Sequence, residues 1–387
     1  MNVRSIAVFT ANRSEFGLLA PILRAIEVHP RLKHILLVAG MHLNDALGST
    51  RREIVAEGFE IEKYLDIGQP CEGAGELSKW VGRLTCECGE VLAGIRPDFL
   101  VVLGDRYELL APVTAAFLGG IPIAHISGGD LTEGGLLDDT VRHTISRMAH
   151  LHFPGTEASM KRLITMGEEP WRIRFVGEPC IDNLLSAEYP LFEEVAASIG
   201  LDPKRRYVLC TIHPVPKKDG RSDIAARETF AALAEANIQV VITYPNGDPG
   251  SSQIIAEIKR VKGTPGFVVV KSLGRIQYIP LLKHAAVVVG NSSSGIVESV
   301  PLHVPAVDLG TRQKGRPHTA NVLRAPFDRE KIAHKLDIAL NDAAFHESVK
   351  NCISPFGEGG CGKRIADILA SVRLDEKLLA KRYFFPE

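Results

Sequence analysis

The chain has 387 residues, 45% of them hydrophobic and 24% charged, which excludes wholesale disorder and leaves room for two domains of about 100–200 residues each. Lysine plus arginine numbers 45 against 46 acidic residues, a formal net charge of −1, so no overall basic excess draws the protein to nucleic acid or an anionic membrane. The amino terminus opens on the short run SIAVF without a signal-peptide pattern, and no apolar stretch approaches the roughly 20 residues of a membrane helix. A soluble, cytoplasmic protein is expected. The seven cysteines are scattered, with only Cys86 and Cys88 close together, and the histidines form no ligand ladder. Neither a disulfide framework, nor a metal site, nor a bound cofactor is expected.

In chain order, apolar runs alternate with helix-length segments. Arg4–Thr10 reads as a strand, followed by the helical pattern LLAPILRAI. His34–Ala39 and FEIEKYL read as strands, and a long helix over Gly75–Gly94 leads into the strand Asp98–Leu103. A helix from Arg106 to Leu118, the strand Pro122–Ile126, a helix over Thr140–Ala149 and a strand near Ile173–Val176 complete the first series. Continuous apolar strands separated by helices predict a parallel sheet covered on both faces. GEPCIDNLLSAEYP, over 177–190, marks a domain boundary, so one domain is expected over 1–185 and a second over 186–387. The second series has strands at Tyr207–Ile212, Ile238–Tyr244, Gly266–Val270 and Ala286–Gly290, with another around Val304–Leu309. The tail Asp328–Arg373 reads as helices that can pack back on the first domain. The fold class is α/β: two doubly wound domains facing across a cleft, with ligands beyond the carboxyl ends of the strands.

No G-x-G-x-x-G follows the first strand, and neither a P-loop nor a G-x-S-x-G elbow appears. The strongest signal is Gly290-Asn291-Ser292-Ser293-Ser294-Gly295, directly after an apolar strand and before a helical segment. Free backbone N–H groups, a helix dipole and serine hydroxyls in such a turn suit a phosphate, although a plain helix cap uses the same residues. Glu298 is placed to accept hydrogen bonds from the vicinal hydroxyls of a ribose, or to complement the helix dipole. Together they suggest a nucleoside diphosphate. Arg13, after the first strand, and Arg312 and Arg316, after Val304–Leu309, are candidate phosphate ligands.

Acidic residues concentrate in the first series. Asp105 follows the strand DFLVVL, and the loop HISGGDLTEG carries Asp130 and Glu133. Asp138-Asp139-Thr140-Val141-Arg142-His143 then opens a helix, where Asp138 with Arg142 and Asp139 with His143 stand at i, i+4. Each segment alone fits a cap, a turn or a structural pair. Clustered carboxylates, however, push one pKa upward and provide an acid and a base in one site. His213, ending RYVLCTIHP, is either structural or a proton donor to a leaving phosphate.

The stretches TANRSEFGLL, GMHL, GDRYE, HISGGDLTEG, DDTVRHTISRMAHLHF, TIHP, PNGDPGS, GNSSSGIVES and GTRQKGR, in this order from Thr10 to Arg316, resemble the UDP-N-acetylglucosamine 2-epimerase family. The likeness is to the hydrolysing branch, which supplies mannosamine-type sugars for sialic and legionaminic acid synthesis. The resemblance implies the glycosyltransferase-B architecture of two Rossmann-like domains, no metal, and a homodimer or homotetramer. It also implies elimination of UDP from UDP-N-acetylglucosamine, or from UDP-2,4-diacetamido-2,4,6-trideoxyglucose, to a 2-acetamidoglucal, followed by addition of water. By motif match Asp105, Asp130, Glu133, Asp138 and Asp139 are the carboxylate candidates, supported by Arg142, His143 and His213. On the substrate and nucleotide side stand Arg13, His42, Arg106, Asn246, Ser292, Ser293, Ser294, Glu298, Arg312 and Arg316. The chain departs from the family at Ala11, where many members have glycine, and at Ser127, where several carry glutamate. The rival readings are a retaining glycosyltransferase of the same fold, a GDP-sugar-specific epimerase and a nucleotide-sugar-binding regulator without catalysis.

Overall fold

The computed structural model describes residues 3–44, 50–69, 75–131, 136–185, 189–215, 219–245 and 250–385. Among these, the chain divides into two compact units, one built from 3–131, 136–183 and 356–385 and the other from 184–355. The range 186–387 is thus split after Pro355, and the chain from Phe356 onward belongs to the first unit.

The first unit holds six parallel strands: β1 (Arg4–Thr10), β2 (Leu32–Ala39), β3 (Lys63–Leu65), β4 (Phe99–Leu103), β5 (Ile123–Ile126) and β6 (Leu151–Phe153), in the order β3-β2-β1-β4-β5-β6. Strand alternation explains the unbroken apolar runs. Ile6 and Val8 of β1, with Phe99, Val101 and Leu103 of β4, face one core. Ala7, Phe9, Leu100 and Val102 face the other. A sheet with helices on both sides needs apolar residues at every position. The helix Cys361–Ser371 joins the first of these cores and lies against the helix Arg13–Glu27. The approach requires Gly362, since a Cβ there would sit 2.6 Å from the Pro21 carbonyl oxygen. Asp182 accepts from the N–H groups of Cys361 and Gly362 (2.9 and 2.8 Å) and caps that helix.

The second unit repeats the topology with β7 (Tyr207–Thr211), β8 (Gln239–Thr243), β9 (Phe267–Val270), β10 (Val287–Gly290), β11 (Ala306–Leu309) and β12 (Val322–Ala325). Its order, β12-β11-β10-β7-β8-β9, is the first sheet's order read from the opposite edge. Each sheet is therefore doubly wound, with its topological switch point between β1 and β4 or between β7 and β10. Loops beyond those strand ends are where such sheets take ligands.

Two elements differ from the sequence-based expectation. Ile173–Val176 is not a strand: Ile173 forms one isolated bridge with His152, and Arg174 and Phe175 face solvent. The sixth strand is instead the fully buried Leu151–Phe153. The edge strand β12 was not anticipated, because VLRA is short, partly exposed and carries Arg324. No helix among the described residues is long and apolar enough to cross a membrane.

Candidate functional site

Beyond β4, Gly104 turns the chain at φ +93° and donates its N–H to Ile126 (3.0 Å). His125 of β5 bonds the Gly104 carbonyl through Nε2 (2.8 Å) and meets the Ser146 hydroxyl at Nδ1 (3.0 Å). A carbonyl only accepts, so Nε2 carries the proton and Ser146 donates to Nδ1. Burial, the main cause, lowers the pKa of His125 to about 3, so the ring is a neutral strut on the Gly104 turn that leads into Asp105. After β5 the chain crosses Ser127 at φ +59°, then Gly128 and Gly129. A Cβ on Gly128 would lie 2.9 Å from His125 Nδ1 and from Ser146 Oγ, and one on Gly129 2.4 Å from the Ser159 carbonyl oxygen. These glycines are demanded by packing.

Arg142 gathers the acidic segments. Its side chain, on the helix Leu136–Met148, is 3% exposed. One guanidinium nitrogen donates to Asp139 Oδ1 (2.6 Å) and to the Asp130 carbonyl (2.8 Å), and the other donates to Asp105 Oδ2. Asp139 pairs with Arg142 at i, i+3. Asp130 also accepts from the Ser159 hydroxyl, so its carboxylate is anchored to the helix Glu157–Thr165. His143 is half-buried, with Nδ1 enclosed and unpartnered among the described residues. Burial first, then the adjacent Arg142 charge, lower its pKa. Asp138 lies one position before Asp139, in the first turn of the same helix.

In the second unit, β10 ends at Gly290, where a Cβ would meet the Thr211 carbonyl oxygen at 1.9 Å. The Ser292 and Ser293 N–H groups have no acceptor among the described residues. The Ser294 hydroxyl meets Tyr278 Oη at 2.6 Å and Ser292 Oγ at 3.3 Å. The helix that follows, Ser294–Val297, is a single turn, too short for the dipole expected from the sequence. Free N–H groups and hydroxyls supply the donors for an anion instead. Glu298 accepts no hydrogen bond among the described residues, and burial pushes its carboxyl up to about 7. Arg312 reaches the Asn291 carbonyl (3.1 Å), and Arg316 keeps a buried Nε without a partner among the described residues.

His42 is expected on the substrate side. It is wholly buried, with Nε2 on Thr10 Oγ1 (3.0 Å) and Nδ1 on Thr50 Oγ1 (2.7 Å), and burial lowers its pKa to about 4. It braces the loop after β1. Arg106 is held by Glu108 (3.2 Å). Glu133, Asn246 and the side chain of Arg13 lie outside the described residues.

Three residues beside these sites were not anticipated. Glu15 is buried and accepts the Ala11 N–H (3.0 Å). Burial pushes its carboxyl up to about 8, aided by Glu108 and opposed by the Ala11 N–H and then by Arg106. Glu108 is likewise buried, with Oε2 unpartnered among the described residues. Asn291 bridges loops of the second unit. Glu108 and Asn291 stand inside motifs already singled out, so position after a strand was the available signal.

The family profile for UDP-N-acetylglucosamine 2-epimerase matches residues 24–370. The chain belongs to the UDP-N-acetylglucosamine 2-epimerase family. Among its relatives in the family is the UDP-N,N'-diacetylbacillosamine 2-epimerase (hydrolyzing) of Legionella pneumophila, 31% identical over 98% of this chain and 99% of that one. A UDP-N-acetylglucosamine 2-epimerase of Neisseria meningitidis serogroup B is 33% identical, with 89% of each chain covered. In architecture this family member superposes on the crystal structure of a Neisseria meningitidis UDP-GlcNAc 2-epimerase bound to UDP-GlcNAc. The TM-score is 0.81 at 18% identity, over 94% of this chain and 99% of the other.

Proposed function

We propose that the protein is a hydrolysing nucleotide-sugar 2-epimerase that converts a UDP-linked 2-acetamido sugar of gluco configuration into UDP and the free manno-configured sugar. The observation that carries this reading is the Arg142 guanidinium, which binds the carboxylates of Asp105 and Asp139 and the backbone of Asp130. Carbon 2 of the sugar has no adjoining carbonyl, so its proton is only feebly acidic. Elimination then leans on departure of the diphosphate, with positive charge developing at carbon 1. Carboxylates stabilise that charge, and one of them takes the proton.

In the first step a carboxylate removes the carbon 2 proton, a carbon 1–carbon 2 double bond forms, and the electrons of the carbon 1–oxygen bond leave with UDP. In the second, water adds at carbon 1, loses a proton to a carboxylate, and carbon 2 is protonated on the opposite face. Two acid–base groups are required, and Asp105 and Asp139 are the pair, with Asp130 next to them. The diphosphate is assigned to Ser292, Ser293, Ser294 and Arg312, the ribose to Glu298, and His213 donates toward the departing phosphate. The name of the Legionella relative supports a 2,4-diacetamido-2,4,6-trideoxy sugar beside N-acetylglucosamine as substrate, and the product would feed sialic or legionaminic acid synthesis.

A proton NMR time course in deuterated water, with both UDP-sugars in parallel, tests the proposal. Free manno-configured sugar deuterated at carbon 2, with UDP, is the expected outcome. An intact UDP-sugar epimerised at carbon 2 identifies a non-hydrolysing enzyme. Nucleotide release only with an acceptor, or no reaction at all, refutes epimerisation.

A further inference from the structure

Pairing between β7 and β10 ends at Thr211 opposite Gly290, yet the two strands stay joined beyond it, by the Asn291 N–H on the Thr211 carbonyl (3.3 Å) and then by a side chain. Asn291, wholly buried, accepts the His213 N–H at Oδ1 (2.7 Å) and donates from Nδ2 to the His213 carbonyl (3.0 Å). An N–H only donates and a carbonyl only accepts, so the amide orientation is fixed by these partners. The side chain stands in for a peptide group and extends the ladder. The main-chain carbonyl of Asn291 takes Arg312 Nη1 (3.1 Å) and Gln313 Nε2 (2.9 Å). One residue thereby ties the loops after β7, β10 and β11, and every loop it ties carries a group assigned to the diphosphate.

We infer that Asn291 is a positioning residue of the reaction, holding His213 and Arg312 in register with the serine loop before substrate arrives. The inference rests on the diphosphate reading given above. Preorganised donors act without reorganisation cost as charge develops on the leaving group, whereas a backbone released from both hydrogen bonds lets His213 drift. Packing alone does not call for an amide here, since an apolar residue of similar volume fills the space and makes none of these bonds.

A double-mutant cycle tests it, with wild type, Asn291→Ala, His213→Ala and the double variant measured for kcat and KM on the UDP-sugar, for UDP affinity by calorimetry, and for melting. Asn291→Ala should lower kcat by about 100-fold or more, in the range of one lost proton-transfer group, with a smaller change in KM. In the His213→Ala background the same change should cost less than about threefold, because the two act as one unit. Asn291→Asp keeps the acceptor for the His213 N–H but opposes a carboxylate oxygen to its carbonyl. It should fall between the two, and it carries the cycle if the alanine variant does not fold. Losses that multiply in the double variant, or a folded Asn291→Ala enzyme with wild-type kcat, overturn the inference alone. A wild-type protein that neither binds UDP nor turns over a UDP-sugar overturns the functional reading as well.

Discussion

Replacing Arg142 with methionine keeps most of the side-chain volume and deletes the cation that holds the Asp105 and Asp130 loops to its own helix. Among the described residues the arginine bonds the carboxylates of Asp105 and Asp139 and the Asp130 carbonyl. Hydrogen bonds to charged groups are worth about 1.5–3 kcal/mol each, and removing one partner of a buried pair costs about 3–5 kcal/mol. Asp105 and Asp139 keep 27% and 25% of their side-chain surface exposed, so water recovers part of the loss. About 3 kcal/mol is expected, which lowers the melting temperature of a unit of this size by roughly 6–12 °C. With the carboxylates no longer fixed, kcat should fall by about 100-fold or more. Arg142→Lys restores the charge but not the fork, so it should recover more of the melting temperature than of kcat. Calorimetry and the NMR assay measure both. An Arg142→Met protein that melts with the wild type and keeps its kcat would refute the reasoning.

Glu298 supplies a pH test. With its carboxyl raised from 4.5 to about 7, its stability contribution is full below the ordinary value and is lost as pH rises through about 7. Glu298→Gln should flatten that slope in urea melts between pH 5 and 8. Ribose hydroxyls donate best to the carboxylate, so UDP binding near pH 7 should release a proton, read by calorimetry in buffers of different ionisation enthalpy, and the glutamine variant should release none. Gly128→Ala should cost about 1–3 kcal/mol by overpacking His125 and Ser146, while Gly94→Ala, with nothing within 4 Å, should be neutral or stabilising in thermal melts. Lys381 Nζ lies 2.8 Å from the buried Glu168. Burial alone would raise Glu168, but His152 and then Lys381 outweigh it and hold the carboxyl down to about 2. That stability is present above pH 4.5 and lost as pH falls toward 2, so Lys381→Met should move the acid-unfolding midpoint upward.

The alternating apolar runs made both sheets legible, because strands buried on two faces leave no polar gap. The candidate loops were legible for the same reason, since each follows the end of such a strand. Arg142 was named, but as an i, i+4 partner of Asp138, because spacing on a helix does not reveal which distant loop a guanidinium reaches. Asp105, 37 positions away, is joined only by the order of β4 and β5 in the sheet. The burial of His42 was not legible, because a histidine in a short motif carries no mark of burial. Asn291 stood in plain view between glycine and serine, yet its role depends on where His213 ends up. The isolated bridge at Ile173 and the edge strand β12 were misread because edge pairing depends on neighbours, not on local apolarity.

The return of the carboxy-terminal segment to the first unit orders events during synthesis. Cys361, Ile365 and Leu369 complete the core that contains Leu19, Ile22 and Leu23. Arg172 spends its guanidinium on the carbonyls of Lys377, Leu378 and Ala380. The ribosome must therefore translate residues 184–355 before it makes the pieces that close the unit it began with. At about 5–20 residues per second that is a wait of roughly ten to thirty seconds, with the apolar flank of the Arg13–Glu27 helix uncovered. The second unit, whose described residues all lie within 184–355, can finish before the first is closed.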